Sequence, residues 1–188
     1  PVAWETDVNG AGFGEHRHGA GRDASVLVYL TIGTGLGGGL LVDGRPTQGL
    51  GHPEMGHVRP RRDPADSFPG ACPFHGDCLE GLVCGPALAA RFGRPAEEVG
   101  DAAVLDAVVP PLAAALADLV YTVAPDRIVI GGGIGLIDGL AERVRTAMVD
   151  LLADYGTHPE HGPGFVVPPA LGGDAGLVGA LCLAEDVA

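Results

Sequence analysis

The chain has 188 residues, enough for one or two domains with a real core, and 46% of them are hydrophobic with few aromatics. Eleven basic against 24 acidic residues give a formal charge of −13, which excludes a nucleic-acid binder that needs a basic face. A nucleotide ligand is not excluded, because backbone amides and a metal ion can hold phosphate. No uninterrupted apolar run reaches bilayer length, so no membrane partner is expected.

The opening Pro1-Val2-Ala3-Trp4 carries no initiator Met and runs straight into a motif-like segment, as expected of a fragment. The polar Trp4-Glu5-Thr6-Asp7 also lacks the character of a signal peptide. Residues 5–14, E-T-D-V-N-G-A-G-F-G, read as a loop entering a helix whose small residues permit close packing. Asp7 can cap this helix or serve as a chemical group; the local sequence admits both.

Residues 25–32, S-V-L-V-Y-L-T-I, read as a buried strand. They run into a glycine-rich stretch at 33–39, then a second apolar segment at 40–42, the turn Asp43-Gly44 and a short strand near 46–48. The glycines therefore form a strand–turn–strand connection. That excludes a P-loop and the dinucleotide fingerprint, both of which open a helix. Taken alone the stretch is a plain glycine hairpin, although bare N–H groups and the Thr34 hydroxyl also make a phosphate-sized concavity.

Residues 52–80 hold the densest chemistry, H-P-E-M-G-H followed by C-P-F-H-G-D-C-L-E. Cys72, His75 and Cys78 are separated by two residues each, so one compact loop supplies three ligands of the kind zinc takes. His57 is the natural fourth and His52 a reserve. Four protein ligands fill a tetrahedron, which makes the zinc structural. Glu54 and Glu80 flank the cluster; each can accept hydrogen bonds from substrate hydroxyls or orient a ligating histidine. Cys84 and Cys182 lie in apolar surroundings and read as buried free thiols. Four cysteines are few for a disulfide-stapled fold, so a reducing, cytoplasmic location is expected.

A short helix follows at 85–92 and a helical stretch begins at Glu97-Glu98. Residues 102–123 form a buried helix that Pro110-Pro111 is expected to interrupt or restart. A short strand at 126–130 ends in Gly131, Gly132 and Gly133, and 136–153 has helical spacing. This is the grammar of an α/β domain, whose ligands sit at the carboxyl ends of strands, so a nucleotide can lie over the second glycine turn. Residues 156–174 read as an exposed loop with one strand near 165–167, and His158 and His161 are minor metal candidates. A small-residue helix at 176–181 closes the chain. Asp7 is the candidate general base, taking a proton from a hydroxyl that attacks phosphorus.

On these residues the chain resembles sugar kinases of the ROK (repressor, ORF, kinase) family, most closely the bacterial fructokinases. The matching segments are E-T-D-V-N-G-A at 5–11, T-I-G-T-G-L-G-G-G at 31–39, H-P-E-M-G-H at 52–57, C-P-F-H-G-D-C-L-E-G-L at 72–82, P-D-R-I-V-I-G-G-G at 125–133 and G-D-A-G-L-V-G-A at 173–180. Histidine in the metal cluster, where most relatives place cysteine, is what points to fructokinases. The resemblance implies an α/β, actin/hexokinase-like (ribonuclease H-like) lobe with a mixed sheet flanked by helices and a zinc-stabilised loop. It implies ATP- and Mg-dependent phosphorylation of a hexose, D-fructose to fructose 6-phosphate, and a homodimer. Asp7 would be the base. Glu54, His57 and Glu80 would face the sugar, with Thr6, where many relatives have Asn, as a specificity hint. Gly33, Thr34 and Gly35 would form a phosphate turn, and Gly131, Gly132 and Gly133 would contact adenosine. Zinc would sit on His57, Cys72, His75 and Cys78.

The implied organisation is an interdomain catalytic segment at 1–24, a kinase lobe at 25–174 and a helix at 175–188 packing toward an N-terminal lobe. The family's first phosphate motif, Asp-Gly-Gly-Gly-Thr-Lys, is absent, so this chain alone is expected to be inactive or incomplete. The alternatives are a sugar-responsive transcriptional regulator, which requires an upstream winged helix, and an inactive sugar-binding module. The intact Asp7 and glycine turns favour catalysis.

Overall fold

The computed structural model describes residues 2–155 and 158–187. Its centre is strand β1 (Val26–Ile32), whose β-branched and apolar residues suit a strand paired on both edges. β2 (Leu36–Val42) pairs with it antiparallel, and β3 (Arg45–Pro46) pairs antiparallel with β2. β4 (Arg127–Gly131) lies parallel to the other edge of β1, and β5 (Val166–Val167) parallel to β4. The order β3-β2-β1-β4-β5 is a mixed sheet of the ribonuclease H-like kind.

Alternation along β1 sorts its side chains into two layers. Val28, Leu30 and Ile32 join Ile128 and Ile130 against α4 (Asp101–Val123) and α6 (Leu140–Leu152). Leu27 and Tyr29 join Val129 and Leu41 against α1 (Asp7–His18) and α7 (Ala175–Asp186). In α6 the buried residues Leu140, Val144, Met148 and Leu152 recur every fourth position and form one stripe on the core. The outer layer is thinner. A Cβ on Gly179 of α7 would lie 1.7 Å from the Gly10 carbonyl oxygen of α1, so the two helices touch backbone to backbone. Glu15, fully buried near the end of α1, accepts from the N–H groups of Ala20, Ala170 and Leu171 at 2.5, 3.0 and 2.8 Å and ties α1 to the entrance of α7.

Several expectations are corrected. Pro110 and Pro111 do not break α4, which runs 23 residues through both. Each removes one helix hydrogen bond, at a cost of about 3 kcal/mol. The buried stripe continues across them through Val108, Val109, Leu112, Ala113 and Leu116, and its burial on the sheet offsets the loss. By length and composition α4 would also qualify as a membrane span, but here its apolar residues are the core of the lobe. Only residues 33–35 of the glycine run form the turn; Gly37, Gly38 and Gly39 belong to β2. The third strand lies at Arg45–Pro46 and not at 46–48. A single helical turn, α5 (Gly132–Gly135), precedes α6, which starts at Leu140 and not at 136. The last helix extends to Asp186. His161 is buried, not exposed: its ring packs 4.4 Å from the Phe165 ring, and its Nδ1 accepts from the His158 N–H. Burial, then His158, lowers its pKa below the ordinary histidine value.

Candidate functional site

The parallel pair β1 and β4 ends at two glycine turns. In the first, the Gly33 N–H donates to the Gly35 carbonyl at 2.9 Å, and the Gly33 carbonyl accepts from Gly85 N–H at 2.8 Å at the start of α3 (Gly85–Phe92). In the second, Gly132 has φ +83°, and a Cβ there would lie 2.4 Å from the Ile32 carbonyl oxygen. Only glycine permits that conformation and that approach. The turns thus converge on one cleft of about 850 Å³, lined by Gly33, Thr34, Pro86, Glu97, Gly133 and Ile134. The other three predicted residues sit behind it. Gly35 lies under the Glu80 carboxylate, Gly131 against the Tyr29 hydroxyl, and Gly132 on Ile32. Burial, then the Glu15 charge, pushes Tyr29 up to about 12.

The glycines of β2 make the sheet thin where the remaining candidates meet. On one face, a Cβ on Gly37 would touch Val8, and one on Gly39 would lie 2.4 Å from Asn9 Oδ1. On the other face, a Cβ on Gly38 would lie 2.6 Å from Met55. The helical turn Met55–His57 and the start of α1 therefore press on opposite sides of one strand. Glu80, in the first turn of α2 (Leu79–Val83), accepts from the Leu36 N–H at 3.0 Å and joins the same strand at its first residue.

Thr6, not Asp7, caps α1: its Oγ1 accepts from the Asn9 N–H at 3.2 Å. This frees Asp7, which is exposed, with one oxygen accepting from the Val8 N–H at 2.8 Å. It opens on a cleft of about 630 Å³ shared with Trp4, Thr6, Gly10, Gly176 and Ala180. Glu54 is exposed and pairs with His52, Oε1 to Nε2 at 2.9 Å, so the reserve ligand His52 is engaged away from the cysteines.

His57, Cys72, His75 and Cys78 come together, with one ligand atom from each and all four within 4.8 Å of one another. Cys78 Sγ and Cys72 Sγ lie 3.6 and 4.0 Å from His57 Nδ1, and Cys72 Sγ lies 3.8 Å from His75 Nδ1. Zinc bonds of about 2.1 Å to nitrogen and 2.3 Å to sulfur set at a tetrahedral angle put sulfur and nitrogen about 3.6 Å apart. The donor set and its spacing fit that ion. Local backbone bonds shape the loop: Cys72 and Gly76 exchange N–H···O contacts at 3.1 and 2.9 Å, and Gly76 has φ +67°. Burial pushes the Cys78 thiol up to about 11. Burial acts the same way on Cys72, but hydrogen bonds from the Phe74 and His75 N–H groups and the Cys78 thiol bring it below its ordinary value.

A second anchor of this loop was not anticipated. Asp66 makes a two-pronged ion pair with Arg91 of α3, both contacts at 2.9 Å, and pairs with Arg62 at 3.2 Å. Arg62 reaches Asp77 at 3.5 Å and the Phe68 carbonyl, while Arg91 lies 4.4 Å over the Phe68 ring. Also unanticipated is Glu5, which accepts from Thr6 N–H, Asn9 Nδ2 and Gln48 Nε2 at 2.9, 2.8 and 3.1 Å. The Arg62–Asp66 and Glu5–Asn9 pairs are four residues apart and legible from spacing, whereas Arg91 and Gln48 are brought to them only by the fold.

The mixed sheet, the paired glycine turns and the thin β2 strand define an actin/hexokinase-like lobe. The chain belongs to the ROK family, whose profile matches residues 1–187. It is 41% identical over 189 residues to the fructokinase of Zymomonas mobilis, covering 98% of this chain and 62% of that protein. The ROK hexokinase of Thermus thermophilus superposes with a TM-score of 0.79 at 30% identity, covering 100% of this chain and 66% of that one. The ROK family glucokinase of Streptomyces griseus, solved with glucose and AMPPNP, gives 0.69 at 28% identity, covering 99% and 69%. The chain thus spans less than two thirds of the length of the curated relatives it matches.

Proposed function

We propose that this chain is the sugar-facing lobe of an ATP-dependent hexose kinase, with D-fructose as the preferred acceptor and fructose 6-phosphate as product. The observation that carries the reading is the convergence of Gly33, Thr34 and Gly133 on one cleft at the carboxyl ends of β1 and β4. In open α/β sheets that is where ligands bind. The relative named fructokinase at 41% identity favours fructose and favours a kinase over a regulator.

In this reading the Gly33–Gly35 turn holds the phosphates through the Thr34 N–H and hydroxyl at its tip, and the Gly131–Gly133 turn receives the adenosine side. Magnesium carried with ATP neutralises charge on the transferring group. Thr6, Glu54, His57 and Glu80 face the sugar. Asp7 accepts the proton of the attacking hydroxyl as its oxygen bonds the γ-phosphorus and ADP leaves. His57, Cys72, His75 and Cys78 would hold a structural zinc ion, which supplies charge and cross-linking to the loop. α1 and α7, packed as one layer, would face the family's other lobe. The active species is a homodimer in the cytoplasm, where ATP is available and the four free cysteines stay reduced.

The test is a coupled ADP-release assay on the full open reading frame with fructose, glucose, mannose and N-acetylmannosamine. Fructose should give the highest kcat/KM. Asp7→Asn should lower kcat by about 10² to 10⁴ with little change in melting temperature, since the Asn oxygen can still accept from the Val8 N–H. Turnover of no sugar would sink the kinase reading; equal rates on all four would sink the fructose preference.

A further inference from the structure

Asp7 stands in the first turn of α1, where helix ends fray unless something holds them. The residues around it are held by Glu5. Glu5 Oε1 accepts from the Thr6 N–H at 2.9 Å and from Asn9 Nδ2 at 2.8 Å, a grip on both sides of Asp7. Asn9 is 1% exposed and wedged against Gly39 of β2, so the grip is fastened to the sheet. From the opposite direction Gln48 Nε2 donates to both Glu5 oxygens at 3.1 Å. Gln48 follows β3 and begins the connection that carries His52 and Glu54.

We propose that Glu5 is a positioning residue for the Asp7 base, and that the Glu5–Gln48 contact links the helix carrying Asp7 to the strap carrying Glu54. The inference rests on the kinase reading. Its chemistry is polarity. Glu5 offers two acceptors and no donor, which suits three N–H donors arriving together. A glutamine at position 5 still has one oxygen for Thr6 and Asn9, and Gln48 can turn its amide over so that its oxygen accepts from the new NH₂; both contacts survive. A glutamate at position 48 facing Glu5 sets two acceptor-only carboxylates together and releases the strap. With glutamine at position 5 the same glutamate regains a donor, with the direction of donation reversed.

The experiment uses the full-length protein in four forms: wild type, E5Q, Q48E and E5Q/Q48E. Two readouts are taken, steady-state kinetics with fructose and hydrogen exchange of segments 5–10 and 47–54. Q48E alone should lower kcat about tenfold to a hundredfold, the scale of a base displaced by about 1 Å, and should speed exchange in both segments. E5Q should stay near wild type in both, and the double variant should recover most of what Q48E loses, with melting temperature unchanged throughout. Q48E with wild-type kcat, or a double variant no better than Q48E, would overturn the positioning role. A wild type silent toward every sugar would overturn the kinase reading and this role with it. The exchange data would then still decide whether the Glu5–Gln48 link exists.

Discussion

Replacing Cys78 with serine tests the metal loop most directly. Cys78 is fully buried and its sulfur lies 3.6 Å from His57 Nδ1, close to the roughly 3.6 Å edge of a tetrahedral zinc site. Cys78→Ser keeps nearly the same volume, so little of its effect comes from a cavity; what it removes is the thiolate donor of the proposed site. A metal present at a thousandfold over its Kd stabilises the fold by about 4 kcal/mol. For a chain of this size 1 kcal/mol corresponds to about 2–4 °C, so loss of zinc should lower the melting temperature by about 8–16 °C. The fold should survive, because Asp66 and Arg91 anchor the same loop to α3 independently of the metal. Elemental analysis should find one zinc per wild-type chain and none in Cys78→Ser. Calorimetry with and without chelator should show the wild type falling to the variant's melting temperature and the variant unmoved. Cys78→Ser with full zinc content, or a wild type indifferent to chelation, would refute the four-ligand site.

The remaining predictions concern the frame around it. Gly132→Ala puts a side chain at φ +83° and a Cβ 2.4 Å from the Ile32 carbonyl oxygen, a backbone atom that cannot swing aside. The conformation alone costs about 1–2 kcal/mol, so urea unfolding should show a loss larger than that; a loss under 1 kcal/mol would contradict the close approach of β4 to β1. Asp66 is held below the usual carboxylate range chiefly by its hydrogen bonds to Arg91, against burial, with help from the Phe68 N–H and Arg62. A depressed carboxylate contributes stability that is present above its unfolded value of about 4 and lost as pH falls. Asp66→Asn should therefore be less stable than wild type at pH 7, with the gap closing as pH falls below about 4. A gap constant from pH 7 to 3 would show that the pair is not the cause.

Most of the sheet was legible because its signals are local. The run V-L-V-Y-L-T-I needs only its own β-branched character to be a strand, and Cys72, His75 and Cys78 need only their spacing to be grouped in one loop. The glycines misled because one residue type serves two purposes. At 132 glycine allows a tight turn, whereas at 37, 38 and 39 it lets Val8, Asn9 and Met55 crowd the two faces of a strand. Pro110 and Pro111 misled because the local penalty is certain while the burial that offsets it depends on the facing sheet. Thr6 displaced Asp7 as the helix cap by a shift of one residue, which the E-T-D sequence leaves open.

By itself the sequence determined the α/β class, the central strand, the two glycine turns and the grouping of Cys72, His75 and Cys78, because each rests on periodicity or short spacing. Only the tertiary structure decided that Gly33, Thr34 and Gly133 share a cleft and that Glu15 is a buried clamp. It alone paired Glu5 with Gln48 and Asp66 with Arg91. Those contacts join residues far apart in the chain, and a polar side chain carries no mark of its partner until packing has brought the two within hydrogen-bonding reach.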